Sequence, residues 1–416
     1  MYVFPPRPEP IPRSADIHAM RAQNTAVVAR LAWERPKGIS RAEISQRSGL
    51  SASTVSTIVS QFLDSGLFVP GQVAASRTGR PPRILHFNYD HNHVVGVELG
   101  AAHVTVALCD LHGEIRWHRS EEWDVARDPE GAIARIIDGV DEARRRPEAR
   151  GRTLPIGLAL PCPVDQRSPD QLSPRLFPAW ANVRLAARLH ERFGLRVIVD
   201  NDANCGAMAE AWAGAGRDGA DLVYIKVATG VGAGIIVEQL PFRGADGIAG
   251  EIGHTCIDMN GRQCRCGLRG CLEAEIGSRA LLDRVAEALA AGRETTLAAI
   301  DTPSEVDVVD AALAGDAVAR EIIRGAGVAL GVAVANLLNL LNPSKVVIGG
   351  RLARASEILL APLRETARER ALWTSIERAE VRLSELGPGV VARGAAFHVI
   401  RGALIYLDMF DEVGAP

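Results

Sequence analysis

Apolar positions recur at helical spacing from His18 to Trp33, where Met20, Val27, Val28, Leu31 and Ala32 share a face. A second helix is predicted after Gly38-Ile39-Ser40. Ser40 followed by Glu43 is the pattern of a capping box, in which each side chain bonds the other residue's amide. Gly49-Leu50-Ser51 breaks that helix, and Ser51 or Ser53 caps a third that runs to about Phe62. Two short helices joined by a glycine-containing turn predict a helix-turn-helix. Gly66 to Phe87 reads as a two-stranded wing. At Val94 the pattern changes. Buried strands are predicted over Val94–Leu99, Val104–Leu108, Leu154–Leu160, Val197–Val199, Leu222–Val227 and Gly234–Val237. Helices are predicted at about 129–146, 183–193, 203–213, 278–291 and 317–341, so this part of the chain is α/β. The longest apolar run, Gly325 to Leu341, has the length for a membrane span. Asn336 and Asn339 interrupt it and no basic flank follows, while Gly327 and Gly331 suit close helix packing. A buried core helix is predicted, with no membrane partner.

Length and charge divide this pattern. At 416 residues, two or three domains are expected. Up to His93 there are 11 basic and 6 acidic residues, a surplus of five. The whole chain is −3, so the rest carries −8. A basic head on an acidic body fits one nucleic-acid-binding part and one part with another task. Residues 1–15 are rich in proline and are expected to be a disordered arm; 16–90 form the head and 91–416 the body. The second helix of the helix-turn-helix offers Ser51, Ser53, Thr54, Ser56 and Thr57 to phosphates and base edges. The wing offers Arg77, Arg80 and Arg83, like arginine arms that enter a narrow minor groove. The predicted partner is operator DNA. No secretory signal is visible, and a cytoplasmic protein is expected.

Seven cysteines include three within eight residues, Cys264, Cys266 and Cys271. The odd count and tight spacing argue for reduced thiols and a metal, not a disulfide framework. His254 or Cys256 would complete a tetrahedral zinc site, and Gly267 and Gly270 permit its tight loop. Four protein ligands leave no place for an activated water, so the zinc would be structural. Elsewhere, Gly230, Gly232 and Gly234 would let backbone amides approach phosphates. Asp202, following a strand, could take a proton from a hydroxyl, with Asn201 bonding its neighbour.

These motifs carry a resemblance that covers nearly the whole chain. Ala228-Thr229-Gly230-Val231-Gly232-Ala233-Gly234-Ile235, Asn201-Asp202-Ala203-Asn204, Gly250-Glu251-Ile252-Gly253-His254 and Val346-Val347-Ile348-Gly349-Gly350 resemble the ROK family of repressors and sugar kinases. The resemblance implies a two-lobed actin/hexokinase-like ATPase-fold body behind a winged helix-turn-helix head. Lobe I would span about 91–200 plus a C-terminal helix at about 395–416. Lobe II would span about 201–394, with its zinc loop at 251–273. It further implies that Asn201, Asp202, Glu251, His254 and Glu273 bond a sugar, and it favours His254 over Cys256 as the fourth zinc ligand. An N-terminal winged helix is typical of the family's repressors.

The chain departs from the family's kinases, which open with Asp-x-Gly-Gly-Thr. It has Glu98-Leu99-Gly100-Ala101-Ala102-His103. Phosphoryl transfer depends on positioning and electrostatics, so these changes predict no useful kinase rate, with Asp202 a vestigial base. Pro161-Cys162-Pro163 and Ser173-Pro174-Arg175-Leu176 also depart, and Arg175 suggests a sugar phosphate or acidic sugar as effector. The expectation is a sugar-responsive repressor, dimeric or tetrameric to read paired half-sites. The alternatives are an active sugar kinase with a regulatory head and a repressor controlled by a protein partner.

Overall fold

The computed structural model describes residues 17–73, 83–149, 152–153, 155–165 and 169–405. The head begins with α1 (Ile17–Trp33), β1 (Ile39–Ser40), α2 (Arg41–Ser48) and α3 (Ala52–Ser65), followed by β2 (Phe68–Val73) and β3 (Arg83–Phe87). The strands pair antiparallel in the order β1-β3-β2. Val28, Ile44, Val55, Val59, Phe68 and Leu85 close the core between the helices and this small sheet. Ser40 caps α2 by accepting from Glu43 N, but only half of the predicted box forms, because the Glu43 carboxylate turns to Arg47. Ser51, not Ser53, caps α3 by accepting from Thr54 N. The crest of the wing, with Arg77 and Arg80, lies outside the described residues.

The first sheet of the body comprises β4 (Asn92–Leu99), β5 (His103–Asp110), β6 (Ile115–Glu122), β7 (Arg152–Thr153), β8 (Ile156–Leu160) and β9 (Val197–Asn201). Its order is β6-β5-β4-β8-β9, with β7 beside β4. Between these strands run α4 (Pro129–Arg145) and α5 (Leu185–Phe193). β4 and β8 are buried on both faces and read as continuous apolar runs. β6 alternates half-buried and exposed residues, with Arg116, His118, Ser120 and Glu122 on its outer face, as suits an edge strand.

Next comes α6 (Asp202–Ala213), then the second sheet. Its first strands are β10 (Leu222–Val227), β11 (Val231–Val237) and β12 (Leu240–Pro241). The chain continues through α7 (Leu272–Ile276), α8 (Ser278–Ala290), α9 (Glu305–Ala314), α10 (Ala317–Leu341), β13 (Lys345–Gly349), α11 (Glu357–Arg370), α12 (Trp373–Ile376), β14 (Glu380–Leu383) and α13 (Val390–Ile405). The sheet order is β12-β11-β10-β13-β14. α10 is long and apolar enough to cross a membrane by length and composition. It is a core helix here, packed along α11, where a Cβ on Gly327 would meet Leu359 O at 2.4 Å.

α6 and α13 lie back to back between the two sheets. Both are rich in alanine and glycine, because each is buried almost all round and its backbone must approach its neighbours closely. A Cβ on Gly394 of α13 would stand 1.7 Å from Cys205 O of α6. The C-terminal helix thus begins earlier than the predicted 395. The end of α6 meets the head. Trp212 packs at a tilt against Trp33, the last residue of α1, at 4.8 Å between ring centroids, and edge-on against Phe397 at 5.3 Å. Trp33 Nε1 donates to Leu111 O at 2.6 Å, and Tyr89 Oη donates to Trp33 O at 2.6 Å.

Candidate functional site

A cleft of about 740 Å3, counted to its open mouth, lies between the sheets. Asn201, Asp202, Glu251, His254 and Glu273, which the resemblance assigns to a sugar, all line it. The connection from β9 to α6 places the first two. Asn201 caps α6, its Oδ1 accepting from Ala203 N at 2.9 Å and Asn204 N at 3.3 Å, and its Nδ2 donates to Cys162 O at 3.1 Å. Its carbonyl oxygen is therefore committed to the cap, leaving one amide hydrogen for a ligand. Glu273 opens α7, is largely buried, and accepts from Val231 N at 3.0 Å and Arg265 Nε at 2.8 Å. Burial pushes Glu251 up to about 7, with Asp202 and Glu273 adding repulsion.

Beneath the cleft, Asp200 accepts from Asn204 Nδ2 at 2.9 Å and pairs with Arg243; His398 Nε2 lies 3.2 Å away. Burial raises the Asp200 pKa, but the Arg243 charge and the Asn204 hydrogen bond help to hold the carboxyl below its usual range. Burial, opposed by Asp200, lowers His398 to about 3, so its ring is neutral.

Lys226, a residue the sequence reading did not single out, occupies the other half of the cleft. From β10 its Nζ donates to Glu98 Oε1 at 2.7 Å and Asp202 Oδ2 at 2.8 Å. Burial alone would lower its pKa, but the two carboxylates raise it, so it stays charged. Burial would raise Glu98, yet Lys226 and His103 hold it well below the carboxylate range. Of the three glycines expected to approach a phosphate, Gly230 and Gly232 line the cleft. Gly232 and Gly234 are not in a loop but in β11, paired with Lys226 and Tyr224. A Cβ on Gly234 would meet Ala203 O at 2.3 Å, so this glycine lets α6 lie against the strand. Arg175 is exposed and does not line the cleft; Leu176 and Phe177 turn inward instead, which leaves the acidic-effector argument without its residue.

His254, Cys264, Cys266 and Cys271 bring one ligand atom each to within 4.8 Å of one another, while Cys256 stands outside the cluster. Cys266 Sγ and Cys271 Sγ are 3.7 Å apart, and Cys264 Sγ and His254 Nδ1 are 3.7 Å apart. A tetrahedron with Zn–S of about 2.3 Å and Zn–N of about 2.0 Å has edges of about 3.6–3.8 Å, so the donor set fits zinc. Gly270, at φ +71°, makes the loop possible, since a Cβ there would meet Asp258 O at 1.6 Å.

On the head, Ser53, Ser56 and Thr57 are exposed on one face of α3, with Ser60 and Gln61 extending it. Ser51 and the half-buried Thr54 bond each other at 2.8 Å within the cap. Arg83 is exposed at the base of the wing.

Comparison with known proteins takes in both halves. The ROK family profile matches residues 94–401. The chain is 32% identical over 375 residues to the xylose repressor of Caldicellulosiruptor bescii, covering 89% of this chain and 94% of the repressor. It is 33% identical over 308 residues to the glucokinase of Thermotoga maritima, covering 73% of this chain and 96% of the kinase. A solved ROK family transcriptional regulator, a homologue of Escherichia coli Mlc, superposes with a TM-score of 0.80 at 29% identity, covering 95% of this chain and 100% of its own. The repressor aligns with more of the chain than the kinase does. With the profile spanning both sheets and the cleft between them, the chain belongs to the ROK family.

Proposed function

We propose that this protein is a sugar-responsive transcriptional repressor. It binds operator DNA through its head and senses a sugar in the cleft of its body. The observation that carries this reading is α6. The helix starts in the cleft at Asp202 and ends beside Trp212, which packs against Trp33 of the head. At 12 residues it spans about 18 Å, so one rigid element touches both the effector site and the DNA-binding part. Xylose-repressor and Mlc-like relatives that align along nearly the whole chain support the same reading.

In this mechanism Asp202, Glu251 and Glu273 accept hydrogen bonds from vicinal sugar hydroxyls, and Asn201 offers its remaining amide hydrogen. His254 serves twice. Its Nδ1, beside the thiols, would hold zinc with Cys264, Cys266 and Cys271, leaving Nε2 for a hydroxyl. Zinc supplies a structural staple, fixing the loop on which His254 and Arg265 stand and the start of α7 with Glu273. Sugar binding rearranges the first turn of α6, and its far end displaces the head. The resulting change in DNA affinity cannot exceed the difference in sugar affinity between the two states. The head reads DNA with Ser53, Ser56 and Thr57, aided by Arg77, Arg80 and Arg83; Ser51 and Thr54 hold the helix start. Two or more copies bind paired half-sites. The protein is not a working kinase, because Asp202 is held by Lys226.

The test is fluorescence anisotropy on DNA from the protein's own upstream region, titrated with xylose, glucose, N-acetylglucosamine and their phosphates. One sugar should shift DNA affinity. Sugar-dependent ADP formation would instead support a kinase, and DNA binding indifferent to every sugar would point to a protein partner.

A further inference from the structure

In a ROK-type kinase the acidic residue ending the first strand helps organise magnesium, and the turn after it binds phosphate. Here the corresponding residues do not fit that group. Glu98 and Asp202 converge on one point, and the Lys226 ammonium occupies it at 2.7 and 2.8 Å. All three side chains are 15% exposed or less, so the ion cluster is shielded from water. The adjoining turn is closed as well. The ring of His103 lies over Gly100, where a Cβ would come within 2.2 Å of it. His103 Nε2 is 3.3 Å from Glu98 Oε1. Arg351, from the second sheet's side, reaches Glu122 on β6 at 2.8 Å and lies 3.4 Å from His103 Nδ1. The point that would take a metal is filled by the protein's own ammonium.

We infer that Lys226 is the resident cation of this cleft: it fills the point between Glu98 and Asp202 that a divalent ion could otherwise occupy, and it ties the two sheets together without any nucleotide. One ammonium balances two carboxylates that otherwise require a dication, and it is carried by β10 while Glu98 is carried by β4. The inference shares Asp202 with the sugar-sensing reading, but its test reads Mn2+ alone, so the two can fail separately. Two consequences follow. The wild-type protein is indifferent to divalent ions at this point. Removing the ammonium exposes a ready-made carboxylate pair, which suits a hard cation that retains several waters.

The experiment uses full-length, zinc-loaded protein and Mn2+ alone, counted by electron paramagnetic resonance. Wild type should bind no Mn2+ at this pair. Lys226→Met should gain about one equivalent, and Glu98→Gln/Lys226→Met should lose it again. The inference is overturned if wild type binds an equivalent that Glu98→Gln removes, or if folded Lys226→Met binds none. Should Lys226→Met fail to fold, refolding with millimolar Mn2+ decides. Recovery with the ion supports the resident-cation role. Failure with Mn2+, when Glu98→Gln/Lys226→Met folds without it, refutes it.

Discussion

Trp33→Leu should uncouple the sugar signal from DNA binding while leaving both bindings in place. Trp33 is the last residue of α1 and makes two contacts that a leucine cannot: the ring pair with Trp212 at 4.8 Å and the Nε1 hydrogen bond to Leu111 O at 2.6 Å. An aromatic pair contributes about 0.5–1.5 kcal/mol beyond its area, and a typical hydrogen bond a net of about 0.5–1.5 kcal/mol. Their sum, about 1–3 kcal/mol, equals the size of an ordinary allosteric coupling, about 5–150-fold in affinity. If the signal passes along α6, the ratio of DNA affinities without and with sugar should fall toward one in Trp33→Leu. The assay is anisotropy on the upstream DNA at one fixed salt, because phosphate contacts make affinity steeply salt-dependent. The sugar used is whichever of the panel shifts wild type most. Trp212→Leu and the double variant complete a cycle that isolates the ring pair. A wild-type ratio in a folded Trp33→Leu protein would refute the α6 route. A lost ratio together with lost sugar binding would mean that the substitution had reached the cleft by another path.

Cys264→Ser should release zinc and abolish the sugar response; a full zinc complement in the purified variant would count against the metal site. Glu251→Ala should abolish the response with DNA affinity intact, and a retained response would put the effector elsewhere. His398 sets a pH dependence of stability. Its folded pKa of about 3 lies below the free value of 6.5, chiefly through burial, so the unfolded chain takes up a proton that the folded one refuses. That contribution to stability is intact above pH 6.5 and is lost as pH falls toward 3, approaching about 1.4 kcal/mol per pH unit. His398→Asn should flatten urea-unfolding stability between pH 6.5 and 5, relative to wild type; an equal slope would show that His398 is not the group responsible.

What could be read from the chain alone was local in sequence. The His/Cys cluster declares itself because Cys264, Cys266 and Cys271 lie within eight residues, and the span of α10 is that predicted, since its apolar run ends at a left-handed Asn342. β4 and β8 were legible as strands buried on both faces; the predicted start at Leu154 lies outside the described residues. α9 was overlooked, although Ser304 and Asp307 form a full capping box, and so was α11, whose arginines and Pro362 mask its apolar face. The glycine pattern was ambiguous for a physical reason. A glycine that admits a phosphate and one that admits a helix backbone leave the same mark, and only the position of Ala203 O against Gly234 separates them.

Lys226 lies beyond local reading for a deeper reason. A lone lysine in an apolar strand looks like an edge residue or a snorkelling side chain. Its partner Glu98 is 128 residues away, and neither residue alone suggests an ion cluster. The replacement of aspartate by Glu98 read as damage to a kinase. Beside Lys226 it acquires a different sense. The longer carboxylate reaches from β4 to the ammonium on β10, and a buried charge that would be costly alone is paired. Glu98 and Lys226 then account for each other. The cleft retains its carboxylates because an internal cation neutralises them, and a site neutralised in this way can sense a ligand without a catalytic metal.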